Sequence, residues 1–188
     1  VQAIEKITHE QLEAHLLKLD PESLICRFGF SATPATIKNY VNSIPDNDLL
    51  FGIKATLTSE DIASAVHLSF SDNGKTAELG ISTIPKFKRQ GLGERVLRYS
   101  VDILRNRGVK QIYSICMPDN SPLMGLIRKL NITSITSSPG QREATINIPM
   151  AGIDSILNEL RNDRLVIIDN AMKPWAELWG RMVGIDTK

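Results

Sequence analysis

The sequence predicts an α/β protein with a mixed, mostly antiparallel central sheet and helices on both faces. Three observations carry this. Helical and alternating apolar patterns succeed one another along the chain. An Asn73-Gly74 pair separates two alternating runs, which marks a tight antiparallel hairpin. After that hairpin, strand and helix patterns take turns before two late strand-like runs.

In chain order, Thr8 or His9 opens a helix with Leu12, Leu16, Leu17 and Leu19 at near-helical spacing, and Pro21 is read as its stop. Pro34 opens a second helix, with Ile37, Tyr40, Val41 and Ile44 on one side, ending before Pro45. The period then changes. Leu49–Thr56 and Ala63–Phe70 read as strands, Ser71–Lys75 as the turn, and Thr76–Ile84 as the third strand. Pro85–Gly93 is a basic, glycine-bearing loop. Leu92–Arg107 is a helix with Val96, Leu97, Val101 and Leu104 facing the core and Gly108 as its stop. Gln111–Met117 is a buried strand. Ser121 caps, and Pro122 opens, a helix running to about Leu130. Ile132–Ser137 and Ala144–Ile148 are late strands around a Pro139-Gly140 turn. Residues 1–150 are thus expected to form one domain and residues 151–188 a helical extension. In the extension, Ile153, Ile156, Leu157 and Leu160 mark one helix. Trp175, Leu178, Trp179, Met182 and Val183 mark another, opened by Pro174. The tryptophan stripe is expected to pack into the core, with a lid or a homodimer contact as the alternatives.

The composition narrows the classes of function. Lys plus Arg is 22 against 21 Asp plus Glu, a net charge of +1, so binding to nucleic acid through bulk charge is not expected. No apolar run reaches the ~20 residues of a membrane span, and Val1–Glu10 lacks the order of a signal peptide. Two cysteines, Cys26 and Cys116, form no disulfide framework. The expectation is a cytoplasmic protein acting without membrane or nucleic acid. His9, His15, His67 and the cysteines show no metal-ligand spacing, so no metal is expected.

The stretch Ile84-Pro85-Lys86-Phe87-Lys88-Arg89-Gln90-Gly91-Leu92-Gly93-Glu94 carries the most chemistry. A strand ends, a glycine-bearing turn follows and a helix begins. The first N–H groups of a helix have no internal partner and sit at the positive end of its dipole. Glycine lets a phosphate approach them closely, and Lys86, Lys88 and Arg89 add charge. The spacing is neither that of a P-loop nor that of a dinucleotide fingerprint. An α/β domain whose loop takes another phosphate ligand is the reading these features leave open on their own.

The run from Ala77 to Gly93, with Glu78 on its strand, resembles the central motif of the GNAT N-acetyltransferase superfamily. That motif is a glutamate-bearing strand, then V-x-P-x-[YF]-[RQ]-x-x-G-x-[GA], then a helix. Lys88 departs mildly from the usual Arg or Gln. Asn120-Ser121 and Lys129-Leu130-Asn131-Ile132 resemble the family's next motif, with Asn131 replacing the usual glycine. The resemblance covers about residues 49–148, while residues 1–48 match in layout only and 151–188 not at all. It implies a GNAT-like fold and an acetyl-CoA site. The N–H groups of Arg89, Gln90, Gly91, Leu92, Gly93 and Glu94 would hold the pyrophosphate, beside Lys88. The backbone of Ser82, Thr83 and Ile84 would bond the pantetheine arm where two strands splay, and Asn120 would touch the far arm.

Acetyl transfer to an amine needs a base, because a free amine is mostly protonated at neutral pH. With Asn73-Gly74 as the turn centre, Phe70 opposes Ala77 and Ser69 opposes Glu78. One hairpin face then carries Val66, Leu68, Phe70, Ala77, Leu79 and Ile81. The other carries Ala65, His67, Ser69, Glu78, Gly80 and Ser82. Glu78 is the candidate base, directly or through a water, and His67 is its diagonal neighbour. The same glutamate is a base in several members of the resembled family. The tyrosine that many members use as acid falls at Ile127, which leaves Ser121 as a weak substitute. The expected activity is acetyl transfer from acetyl-CoA to a primary amine, small or protein-borne. A non-catalytic acyl-CoA-binding or sensing domain is the alternative.

Overall fold

The computed structural model describes residues 2–71, 73–115, 125–127, 135–136 and 143–183. Its strands are β1 (Glu5–Lys6), β2 (Leu49–Lys54), β3 (Ile62–Phe70), β4 (Thr76–Thr83), β5 (Gln111–Ile115), β6 (Ile135–Thr136) and β7 (Glu143–Asn147). They form one seven-stranded sheet in the order β1-β2-β3-β4-β5-β7-β6. Every neighbouring pair is antiparallel except β4 and β5, which run parallel. The mixed, mostly antiparallel sheet is the one the sequence predicts, and the two-residue edge strand β1 is an addition to it.

The helices are α1 (His9–Leu16), α2 (Pro21–Phe28), α3 (Pro34–Asn42), α4 (Leu92–Asn106) and α5 (Ile153–Val183). Alternation along β3 and β4 sends successive side chains to opposite faces and so to two cores. Val66, Leu68, Ala77 and Leu79 pack with Val96, Leu97, Val101 and Leu104 of α4. Ala65, Leu50 and Ile62 pack on the other face with Leu12, Leu16, Ile37 and Val41 of α1 and α3.

Two helices differ from the sequence expectation in where they start or how far they run. Pro21 does not simply stop the first helix; it stands in the first turn of α2. Asp20 caps that helix, accepting from the Ser23 N–H at 2.7 Å, and Gly29 closes it at φ 78°. Proline is at home there because its missing N–H would have had no helical partner. The extension, in turn, is one helix rather than two and runs through Pro174. Proline removes the bond to the carbonyl four residues earlier, which belongs to the exposed residue Asn170.

α5 packs against α4 with an inverted polarity. The buried residues on its docked side are polar, Ser155 and Asn162. Ser155 Oγ donates to Asn106 Oδ1 at 2.6 Å, and Asn162 accepts from the Ile4 N–H at 3.0 Å and donates to the Ile4 carbonyl at 2.8 Å. Asp169 accepts from the Ala3 N–H. Most of its large apolar residues look outward, with Trp175 and Trp179 each 63% exposed, while Leu165 and Val166 are half-buried. Core packing of the tryptophans is therefore corrected: they stand on the outer side, and the buried side chains of this helix are the hydrogen-bonded Ser155 and Asn162.

Candidate functional site

A parting of strands lies at the centre of the sheet. β4 and β5 pair at Thr76–Gln111, Ala77–Ile112 and Glu78–Tyr113. β4 then continues to Thr83 and β5 to Ile115 without further pairing between them among the described residues. Glu78 thus stands on the last paired rung. The Ile84 N–H donates to the Ala63 carbonyl at 2.9 Å. Antiparallel alternation then turns the backbone groups of Ser82 and Ile84 toward β3, and those of Ile81 and Thr83 toward the fork. Of the three residues expected to line it, only Thr83 does so through its backbone. Ile84 is buried in the α1–α3 core, and Ser82 Oγ is bonded to His15 Nε2 at 2.8 Å. Ile81 was missed, although the alternation that placed Glu78 could have found it.

The glycine loop meets the same fork. A 3-10 turn, Pro85–Phe87, leads to Arg89 at φ 64° and Gly91 at φ 77°, both left-handed. Gly91 is the N-cap of α4, and no side chain caps the helix. No N-cap side chain occupies the start of the helix, the arrangement that suits an anion. A Cβ on Gly93 would lie 3.2 Å from Thr83 Oγ1, which shows how closely the first turn of α4 sits against β4. Lys86, Lys88, Arg89 and Gln90 are exposed around it, and among the described residues none of the three cations forms an ion pair. Gln90 donates to the Lys86 carbonyl at 3.1 Å. The Glu94 carboxylate accepts from Arg98 at 2.9 and 3.1 Å.

On the α1–α3 face, beside Glu78, lies a cavity of about 180 Å³ whose lining includes Arg27, Tyr40, Asp48, His67, Glu78 and Gly80. The register Ser69–Glu78 and His67–Gly80 is the predicted one, and it puts both candidate side chains at this cavity. Glu78 is exposed at its mouth, and among the described residues its carboxylate has no hydrogen-bond partner. His67 is engaged on both sides. Its Nε2 lies 2.8 Å from Asp48 Oδ2, and its Nδ1 lies 2.6 Å from Tyr40 Oη. A carboxylate can only accept, so Nε2–H donates to Asp48. In the neutral ring Nδ1 then accepts the Tyr40 proton. Tyr40 Oη in turn accepts from Arg27 Nη2 at 2.5 Å. Burial is the largest influence on His67 and holds its pKa below the ordinary value, against the opposing pull of Asp48. Burial also raises the Tyr40 pKa. Both groups are held neutral.

Arg27 was missed because it sits on α2, the helix hidden behind Pro21. Its guanidinium lies 5.0 Å from the Phe28 ring centroid and 5.4 Å from that of Tyr40. It also lies directly over Gly80, where a Cβ would collide with it. Tyr113 pairs with Glu78, and its hydroxyl donates toward Gln111 Oε1 at 3.4 Å, back along its own strand. Ile127 is fully buried in the α4 core. Asn120, Ser121 and Cys116 lie outside the described residues. Among those described, no three His, Cys, Asp or Glu are grouped to hold a metal, and no helix is long and apolar enough to cross a membrane.

Comparison with known proteins gives a family-level match. The model described as the acetyltransferase (GNAT) family matches residues 16–132. No curated protein sequence matches the chain. Among solved structures, the ribosomal-protein-S18-alanine N-acetyltransferase from Escherichia coli is 21% identical at a TM-score of 0.54, over 82% of this chain and 98% of that one. A domain from Methanocaldococcus jannaschii is 17% identical at 0.62, over 77% and 96%. An acetyltransferase (GNAT family) from Bacillus anthracis is 16% identical at 0.58, over 78% and 95%. At these identities the shared property is the fold.

Proposed function

The chain belongs to the GNAT acetyltransferase family and is an acetyltransferase; from that premise we propose that it transfers an acetyl group from acetyl-CoA to a primary amine by direct attack, with Glu78 as general base. One observation carries the reading. Glu78 stands on the last rung before the strands part, at the mouth of the side cavity, while the uncapped start of α4 closes on the same strand at Thr83.

The residues present fit acetyl-CoA. The N–H groups of Arg89 to Glu94, beside Lys88, would receive the pyrophosphate, and the backbone of Ile81 and Thr83 would receive the pantetheine amides. Bound there, acetyl-CoA supplies a thioester whose C–S bond breaks as the amine nitrogen bonds to carbon. Glu78 takes the proton that the acceptor ammonium must lose, directly or through a water, as its exposed position allows. His67 has both ring nitrogens occupied, so its role is to fix Tyr40 and Arg27 rather than to move a proton. Asn120 and Ser121 are proposed for cofactor contact and for proton donation from the family motif alone.

Acetyl-CoA should raise the melting temperature by binding the native state. Thiol release should follow with some amines. Glu78→Gln should lower kcat roughly 100-fold while the acetyl-CoA melting shift persists. An unchanged kcat in that variant would remove Glu78 from the mechanism. A melting shift with no thiol release from any amine would favour the acyl-CoA-binding alternative.

A further inference from the structure

We infer that the acceptor is a zwitterion, an amine carrying a carboxylate one or two carbons away, with Arg27 as the group that binds the carboxylate; this rests on the acetyl-transfer reading above. Arg27 is a half-buried cation set into the cavity wall. Its Nη2 serves Tyr40, and among the described residues no carboxylate lies within ion-pair distance of its guanidinium. Its position is built: the Phe28 and Tyr40 rings flank it, and Gly80 leaves the space it occupies. The chain from Arg27 through Tyr40 and His67 ends on Asp48, a nearly fully buried carboxylate. That relay fixes one edge of the guanidinium and leaves its remaining donors for a ligand. A planar fork of this kind matches a carboxylate.

The spacing sets the rest of the acceptor. Arg27 lies over Gly80, and Glu78 is two residues along the same strand on the same face, roughly 7 Å away at the backbone. A carboxylate on Arg27 then brings an amine one or two carbons away to Glu78 and the fork. The cavity of about 180 Å³, open where Glu78 is exposed, has room for a carboxylate and the carbons that join it to the amine. Among the described residues Arg27 is the one cation of this lining against the carboxylates of Glu78 and Asp48, a balance that disfavours a doubly charged phosphate and suits an acceptor whose own ammonium offsets its carboxylate. A peptide amino terminus has no carboxylate beside its amine and would leave Arg27 with Tyr40 as its hydrogen-bond partner.

The test uses the full chain, acetyl-CoA, and a panel of α-amino acids with β-alanine, each set against its own amide. Thiol release and the melting shift with acetyl-CoA are both measured. At least one amino acid should be turned over with kcat/KM tenfold or more above its amide. Arg27→Gln should close that gap by raising KM for the acid. Gly80→Ala should do the same, because its methyl group displaces the end of a flexible side chain without removing any charge. The inference is overturned if amides serve as well as acids, if the acid preference survives Arg27→Gln, or if no member of the panel is acetylated while acetyl-CoA still stabilises the fold. A chain that acetyl-CoA does not stabilise would instead sink the acetyl-transfer reading, and this inference with it.

Discussion

Acidification should weaken this fold through His15. The ring is 1% exposed, with Nδ1 2.8 Å from the Ile62 carbonyl and Nε2 2.8 Å from Ser82 Oγ. Burial is the dominant influence and lowers its pKa from 6.5 to about 4. In the unfolded chain the imidazole regains its ordinary value. Between pH 6.5 and 4 the unfolded state therefore binds a proton that the native state refuses, and stability falls as pH drops through that window. About 2.5 pH units at 1.36 kcal/mol each comes to about 3 kcal/mol. That is a large share of the 5–15 kcal/mol typical of a domain. Urea titrations at pH 7 and pH 4 would measure it. At a slope of about 2 kcal/mol per molar, His15 should lower the midpoint by roughly 1.5 M. His15→Gln keeps a donor for Ile62 and an acceptor for Ser82 but cannot titrate, so its midpoint should fall by that much less. The difference between the two chains removes the share of His67, whose pKa is also held low. Equal pH dependence in both chains would refute the reasoning.

The remaining predictions concern single positions. Asp20→Ala removes the cap of α2 and should cost about 1 kcal/mol, seen as a melting temperature lower by about 2–4 °C, with Asp20→Asn restoring most of it. Gly91→Glu places a side chain at φ 77°, a strain of about 1–2 kcal/mol, and sets a negative charge at the start of α4. It should abolish the melting shift with acetyl-CoA, and a retained shift would remove that helix start from the cofactor site. Trp175→Glu with Trp179→Glu should leave the melting temperature within about 2 °C, because both rings are mostly exposed. A large drop would mean that they are buried in solution.

The hairpin was legible because one short signal fixed it. Asn73-Gly74 set the turn, and a period of two then determined which side of the sheet received Glu78 and His67. The start of α4 is legible for a similar reason, since a strand-to-helix turn calls for a left-handed residue and Gly91 adopts φ 77°. Pro21 was ambiguous: the same residue ends one helix or begins another, and the deciding hydrogen bond from Ser23 to Asp20 is a matter of three-dimensional placement. Without α2, Arg27 has no place, because its surroundings are set by Tyr40, Asp48 and Gly80, at positions 13 to 53 residues further along the chain. The extension misled in another way. An apolar stripe says that a surface is oily but not which way it faces, and here Ser155 and Asn162 had already taken the inner side.

That attachment gives α5 the character of a key cut for one lock. Oily surfaces tolerate sliding, whereas Asn162 reads both backbone groups of Ile4 and Ser155 reads Asn106. A shift of one helical turn, about 5.4 Å, would break every one of those recognitions at once. The long helix therefore clasps the first residues of the chain to the back of α4 in a single alignment, and its outer tryptophans can be varied without loosening that clasp.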